Sequence, residues 1–357
     1  MINVAITGLH RGNNPQPGAA VAAGLRRRFP DLRIVGLSYD PLESGLYCHD
    51  GGRPDAAYLM PFPGAGAKAT LDRLDEILQT EPIDYLIPCL DSELDNYIQL
   101  QPELKSRGIG CLLPSQQALD DRAKSNLDAF CGQLEVPTPR TLMANDPDTL
   151  AALALQLGYP VYVKGRFYEA HLATTPKELY EAFASIASVW GTPVLVQEMV
   201  VGEEYDILGL GDGEGGLLAS CSIRKMLRTS AGKGFAGVVV ADPDLDELVA
   251  RVIGALRWAG PFELEFIKVP GKPHALFEMN PRFPAWVDFP SQIGCNMPAR
   301  LLEQLIGLDA TPLQTCTPGQ MFIRHSIDLV ADIAEVAEMT ITGRRICTPN
   351  DCPTISR

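Results

Sequence analysis

The sequence predicts an α/β protein whose later part turns to α+β, and two observations carry that expectation. Short apolar strands alternate with helices through the first hundred or so residues, the pattern of a parallel sheet with right-handed crossovers. Further on, apolar runs follow one another through turn residues, as antiparallel hairpins do. The chain has 357 residues, 46% of them hydrophobic, which suits a large core and more than one domain at ~100–200 residues each. A formal net charge of −14 argues against nucleic acid or an anionic membrane as a general partner. No apolar run reaches the ~18 residues of a membrane span. The opening MINVAITG reads as a strand and not as a signal segment. Nine scattered cysteines without a CxxC pair read as reduced core thiols. A cytoplasmic protein is the expectation.

Residues 2–7 (INVAIT) make the first strand, and an Ala-rich helix over 19–29 follows the loop 8–18. That loop lacks GxGxxG and holds two prolines, so a dinucleotide site has little support. Strands at 31–37 and 83–89, with a helix over 71–79 between them, continue the pattern. Ligands of such sheets sit beyond the carboxyl ends of the strands. His10, Arg11, Asp91 and Glu93 are therefore nominated for a substrate pocket, with a plain surface loop as the competing reading. Around Pro114 the pattern changes. Residues 115–134 look helical and carry Arg122 and Lys124, and VPTP (136–139) stops them. A short helix over 150–157 ends at Gly158, and a strand over 159–164 ends on Lys164. An amphipathic helix covers 177–189 and a buried strand 193–199.

Strands over 205–210 and 217–223 pair across 211–216. Arg224, Lys225 and Arg228 then precede SAGKGFAG, either a flexible surface loop or a basic site for phosphate or carboxylate. Asp242 caps the next helix with Pro243 at its first position, and Leu245, Leu248, Val249, Val252, Ile253 and Leu256 form its apolar stripe. FELEFIKVPGKPHALFEMNPR (262–282) reads as a hairpin. With residues 270–273 as its loop, Val269 faces His274 and Glu265 faces Glu278. Asn280 shares the Glu278 face by the period of two. Like charges directly opposed across strands are destabilising. A hard cation with oxygen ligands such as magnesium would account for the pair, against the plainer reading of a solvated sheet face. A helix over 297–306, a strand over 319–327 and a polar, mobile tail complete the chain.

In this order the fragments resemble the ATP-grasp superfamily, most of all its carboxylate–amine ligases and the carbamoyl-phosphate-synthase-like branch, over roughly residues 1–310. The resemblance implies an ATP-grasp fold behind a Rossmann-like preATP-grasp domain. The units are then 1–114, a small lid subdomain 115–198, a large subdomain with the metal site 199–315, and a C-terminal strand and tail 316–357. Lys124 stands eleven positions before Glu135, which with Val136-Pro137 replaces the family's G-[VI]-P; Arg122 is the alternative for the same phosphate role. Lys164 in YPVYVKG matches the second family lysine. VQEMVVGEEY (196–205) matches the adenine strand, with Gln197, Glu198 and the Met199–Val200 backbone near adenine and Glu204 at the ribose. FEMNPR resembles EINPR. It implies Glu278 and Asn280 as metal ligands with Glu265, and Arg282 at the transferred phosphoryl group. Arg224, Arg228 and Lys233 are candidates for a substrate carboxylate or acyl phosphate. The glycine-rich loop that normally closes over the triphosphate is shortened here to GRFYEAHLATT; either Arg166, Tyr168 and His171 or SAGKGFAG replaces it, or catalysis is impaired.

The implied activity is ATP- and Mg2+-dependent ligation of a small-molecule carboxylate to an amine through an acyl phosphate. The resemblance also allows manganese in place of magnesium, a peptide as one substrate, and a homodimer. Phosphorylation of carbamate or bicarbonate, and nucleotide binding without catalysis, are the competing readings. A dehydrogenase is disfavoured. None of the five histidines has a sequence neighbour that marks it as a catalytic base.

Overall fold

The computed structural model describes residues 1–12, 15–165, 169–229, 232 and 234–347. Arg166, Tyr168 and Lys233, named above, lie outside these residues. Strands β1 (Asn3–Ile6), β2 (Arg33–Ser38), β3 (Ala56–Leu59) and β4 (Tyr85–Ile87) form a parallel sheet in the order β3-β2-β1-β4. β1 is apolar throughout because both of its faces are covered. Val4 and Ile6 pack with Val21, Ala22 and Leu25 of the helix Gly18–Arg28. Ala5 packs in a second core with Leu74 and Ile77 of the helix Gly66–Leu78. β3 was not expected; AAYL is too short to show a period.

The helical stretch after Pro114 is broken. Helices Gln116–Asp121 and Leu127–Gln133 flank residues 122–126, so Arg122 and Lys124 project from the interruption instead of a continuous helix. A four-stranded antiparallel sheet follows, built from β5 (Thr141–Ala144), β6 (Val161–Lys164), β7 (Ala170–Ala173) and β8 (Val194–Glu198) in the order β5-β8-β6-β7. Helices Pro147–Leu157 and Pro176–Trp190 bring Leu150, Leu179 and Ile186 to a separate core with Val161, Val163 and Val196. The second helix starts at a capping box between Thr175 and Glu178, which satisfies its free N–H groups.

The remaining strands are β9 (Glu203–Asp212), β10 (Leu217–Arg228), β11 (Gly234–Val239), β12 (Ala259–Lys268), β13 (His274–Asn280) and β14 (Met321–Ile323). They form an antiparallel sheet in the order β13-β12-β9-β10-β11-β14. One face carries Ile207, Phe262, Leu264 and Phe266 against the stripe of helix Pro243–Leu256. The tip of the Phe262 ring comes close to β9 because residue 209 is glycine; a Cβ there would stand 2.1 Å from it.

Two expectations need correction. The basic stretch 224–228 is the end of β10 and not a loop, since β10 runs on to pair with β11. The polar tail forms a helix, Ile333–Thr342, and a strand, β15 (Arg344–Ile346), that pairs antiparallel with β3 and completes the first sheet. Arg345 is buried there, donating to the Leu46 carbonyl at 3.3 Å and pairing with Glu335. No helix among the described residues is long and apolar enough to cross a membrane.

Candidate functional site

The β12–β13 hairpin sets the site. Its register places Glu265 opposite Glu278, as the alternation predicts, but by a different turn. Lys268, and not Val269, faces His274, and a register shift after Glu265 restores the alignment. Such a bulge accommodates an extra residue on one strand, here Phe277. The same face carries Glu263, which accepts from Asn280 Nδ2 at 3.1 Å and from the Trp286 indole at 2.9 Å. Asn280 also donates to Glu265 at 2.9 Å, leaving its carbonyl oxygen for another partner.

Cations balance these carboxylates. Lys225 reaches Glu265 at 2.6 Å, Asp206 at 2.9 Å and Glu204 at 3.5 Å. Burial pushes Asp206 and Glu265 above the usual carboxylate range, and Lys225 opposes the shift. Burial would depress Lys225, but Glu265 and Asp206 hold it charged. Lys124 lies 3.2 Å from Glu278. Burial would raise the Glu278 carboxyl, yet Lys124, Lys164 and Arg282 hold it down at about 2. Lys164 is 8% exposed, sits over the Phe277 ring at 5.6 Å and is lowered by burial. Arg282 bridges Glu263 (2.9 Å) and Asp91 (3.1 Å). Arg122 approaches Asp91 at 3.8 Å and the Met279 carbonyl at 3.5 Å, with its buried Nε unpartnered and its pKa lowered by burial. Glu135 holds a φ of 54°, the left-handed conformation that glycine adopts without strain.

The structure thus gathers Lys124, Lys164, Glu204, Glu265, Glu278, Asn280, Arg282 and Arg122. Glu198 and Gln197 end β8, the first accepting from the Arg140 N–H at 3.0 Å and the second donating to Thr141 Oγ1 at 2.8 Å. Met199 and Val200 follow at the strand's end. Arg224 is not part of the group. It faces Tyr205 across the strands and pairs with Glu203, on the opposite face from Lys225. Arg228 is exposed and pairs with Glu204 at the rim. Arg11 pairs with Asp50 at 2.8 Å, and Glu93 is buried under the first sheet's strand ends. His171 is exposed beside Glu169. His274 is buried and meets Asp242 at 2.8 Å, away from the carboxylates. After Lys164, which pairs with Ala170 across β6 and β7, the Gly165 N–H donates to the Glu169 carbonyl at 3.1 Å.

Asp206, Glu263 and Arg324 were not nominated, and Lys225 entered only as one residue of the basic stretch 224–228. Strand alternation would have selected Lys225 over Arg224 had residue 225 been read as strand. Arg324 follows β14, two residues beyond Phe322, which stacks on Trp286 with 6.3 Å between centroids. Its Nη1 is buried without a partner, and burial lowers its pKa against the pull of Glu263. Among the described residues no three His, Cys, Asp or Glu side chains already converge as a metal cage. The available oxygens are Glu265, Glu278 and the Asn280 amide, a hard donor set that fits magnesium with positions left for other ligands.

No family model matches the chain. Phosphoribosylamine–glycine ligase of Synechocystis sp. is 27% identical over 183 residues, 50% of this chain and 43% of that protein. The chain spans less than half the length of that relative. Carboxyaminoimidazole ribonucleotide synthase of Aspergillus clavatus, solved with ATP, gives a TM-score of 0.66 at 17% identity over 90% of this chain and 80% of that one. L-amino acid ligase of Bacillus licheniformis gives 0.64 at 16% identity over 86% and 74%. The biotin carboxylase domain dimer of Hydrogenobacter thermophilus 2-oxoglutarate carboxylase, with MgADP and bicarbonate, gives 0.66 at 15% identity over 87% and 71%. The chain has the ATP-grasp fold. Within it, the solved neighbours are carboxylases, synthetases and an amino-acid ligase.

Proposed function

We propose that this chain is an ATP- and magnesium-dependent ligase that joins a small-molecule carboxylate to an amine through an acyl phosphate. The observation that carries the reading is the opposed pair Glu265 and Glu278, with Lys124, Lys164 and Arg282 around it. Glu265, Glu278 and Asn280 would hold magnesium, or manganese in its place, and the metal would neutralise phosphate charge when bound. Lys124, Lys164 and Arg122 would face the phosphates. The Gln197–Val200 strand end would hold adenine and Glu204 the ribose. Phosphoryl transfer needs mainly positioning and charge neutralisation, and these residues offer both.

Arg282, which the resemblance puts at the transferred phosphoryl group, and Arg324 would grip the substrate carboxylate, since a guanidinium suits a planar anion. One carboxylate oxygen bonds to the γ-phosphorus as the bond to ADP breaks. The amine nitrogen then attacks the acyl carbon, phosphate leaves with the bonding electrons, and the amine's proton passes to solvent. The ATP, MgADP and bicarbonate of the solved neighbours support the nucleotide part of this reading. The same reading divides the chain near 114, 198 and 315. The separate core of the small sheet supports its middle unit, although Ala118, Leu119 and Leu127 pack with the neighbouring core. A peptide substrate and a homodimer belong to the same proposal.

The shortness of the sequence between Lys164 and its strand partner Ala170 favours a second reading, nucleotide binding without turnover. A screen of the purified chain with Mg2+ and ATP against pooled amino acids, short peptides and bicarbonate separates the readings. Phosphate release that needs both an acid and an amine supports ligation. Release with bicarbonate alone supports the carboxylase-type chemistry, and ATP binding without release supports the binding module. Undiminished ADP formation by Glu278→Ala overturns the metal assignment.

A further inference from the structure

A cleft beyond the carboxyl ends of the first sheet takes no part in the steps above. It is a cavity of about 380 Å³ bordered by His10, Tyr39, Asp40, Leu42, Phe62 and Ser92. We propose that it binds the amine substrate, taken up as a protonated nitrogen on a compact apolar body that gives up one proton to solvent before it attacks. The proposal rests on the ligase reading and supplies the class of its second substrate.

The walls indicate the apolar body. Leu42 and Phe62 are 67% and 69% exposed. Single exposed apolar side chains are ordinary, but two bordering one concave site mark a place where a ligand can cover them. Phe62 stacks on Tyr39 with 6.3 Å between centroids and planes 18° apart, which makes a flat surface. The Tyr39 hydroxyl donates to Glu93 at 2.5 Å, and Glu93 also accepts from the N–H groups of Cys89 (2.9 Å) and Leu90 (3.0 Å). A wall anchored to the strand ends in this way is preorganised, so little ordering cost remains for binding.

Charge indicates the cation. Asp40 uses one carboxylate oxygen to accept from the Leu42 N–H at 2.7 Å, and its other oxygen has no hydrogen bond among the described residues. Among the described residues no lysine or arginine borders the cleft. An anion there would meet Asp40 and Glu43, with only the His10 imidazole on the other side of the balance, whereas a protonated amine gains a partner. Position links the cleft to the reaction. Ser92 follows Asp91, whose carboxylate meets Arg282 at 3.1 Å, so the cleft adjoins the end of the site where the activated acid would lie.

The test is calorimetric titration of the whole chain, without nucleotide, using phenylalaninamide and 3-phenylpropionate as probes of like shape and opposite charge. Phenylalaninamide is expected to bind about fivefold tighter or more, and Asp40→Asn to weaken it about fivefold, a factor equal to about 1 kcal/mol, while 3-phenylpropionate binds no weaker than before. Phe62→Ala is expected to weaken phenylalaninamide by a similar factor. Both side chains are exposed, so unchanged melting curves should accompany these losses. Equal affinity for the two probes, or a preference for the amide that survives both substitutions, overturns the proposal. Nucleotide is absent throughout, so its failure is distinct from that of the ligase reading, which the ADP screen decides.

Discussion

Replacing Glu278 by glutamine removes one charge and keeps the shape, and the structure gives the size of the effect. Lys124 lies 3.2 Å from the carboxylate, and Lys164 is buried close enough to add to its field. Burial alone would raise the carboxyl. The two lysines and Arg282 outweigh it and bring the value from 4.5 to about 2. At 1.36 kcal/mol per unit this difference corresponds to about 3 kcal/mol. A depressed carboxyl stabilises the fold above its unfolded value, and that stabilisation is lost as pH falls from about 4.5 toward 2. Urea unfolding followed by tryptophan fluorescence should therefore show Glu278→Gln less stable than the parent by about 3 kcal/mol at pH 7. The gap should shrink to about half at pH 3. Equal stability at pH 7, or a gap that does not narrow with acid, refutes the electrostatic reasoning.

Lys225→Met leaves Glu265 and Asp206 buried without their cation. The expected loss is about 3–5 kcal/mol at pH 7. It should be smaller at pH 5, because carboxyls already raised by burial then take up protons; equal losses at both pH values contradict this. Gly209→Ala puts a methyl 2.1 Å from the Phe262 ring and should lower stability by about 1–3 kcal/mol, which thermal melting can check. Arg224→Ala should leave ATP turnover within about twofold, since an exposed pair contributes little. Arg324→Ala should instead raise the KM for the acid substrate, and the opposite ranking in steady-state kinetics would return Arg224 to the site.

Much of the site could be read locally. The Asp242-Pro243 start becomes a helix from Pro243 because the Asp242 carboxylate accepts the Leu245 N–H at 3.2 Å, a contact encoded within four residues. The facing of Glu265 and Glu278 followed from alternation, although the turn and the bulge each differed from expectation and compensated. Lys225 was hidden for the opposite reason. Residues 224–228 are basic and precede glycines, so they look like a loop, and only pairing with β11 makes them strand and assigns them to faces. The break that presents Arg122 and Lys124 depends on packing of the flanking helices into the first core. β15 is invisible locally, because the sequence RRI becomes a strand only beside β3.

That last pairing bears on how the chain folds during synthesis. β1 to β4 emerge early, but β3 gains its outer neighbour only when residues 344–346 have left the ribosome. Until then its N–H and C=O groups form an open sheet edge, the kind of surface that recruits strands from other chains. The nascent first sheet is thus most exposed to aggregation throughout synthesis of the small sheet and the hairpin. Truncated chains that stop before β15 should inherit that hazard permanently, whatever the state of their carboxylate cluster.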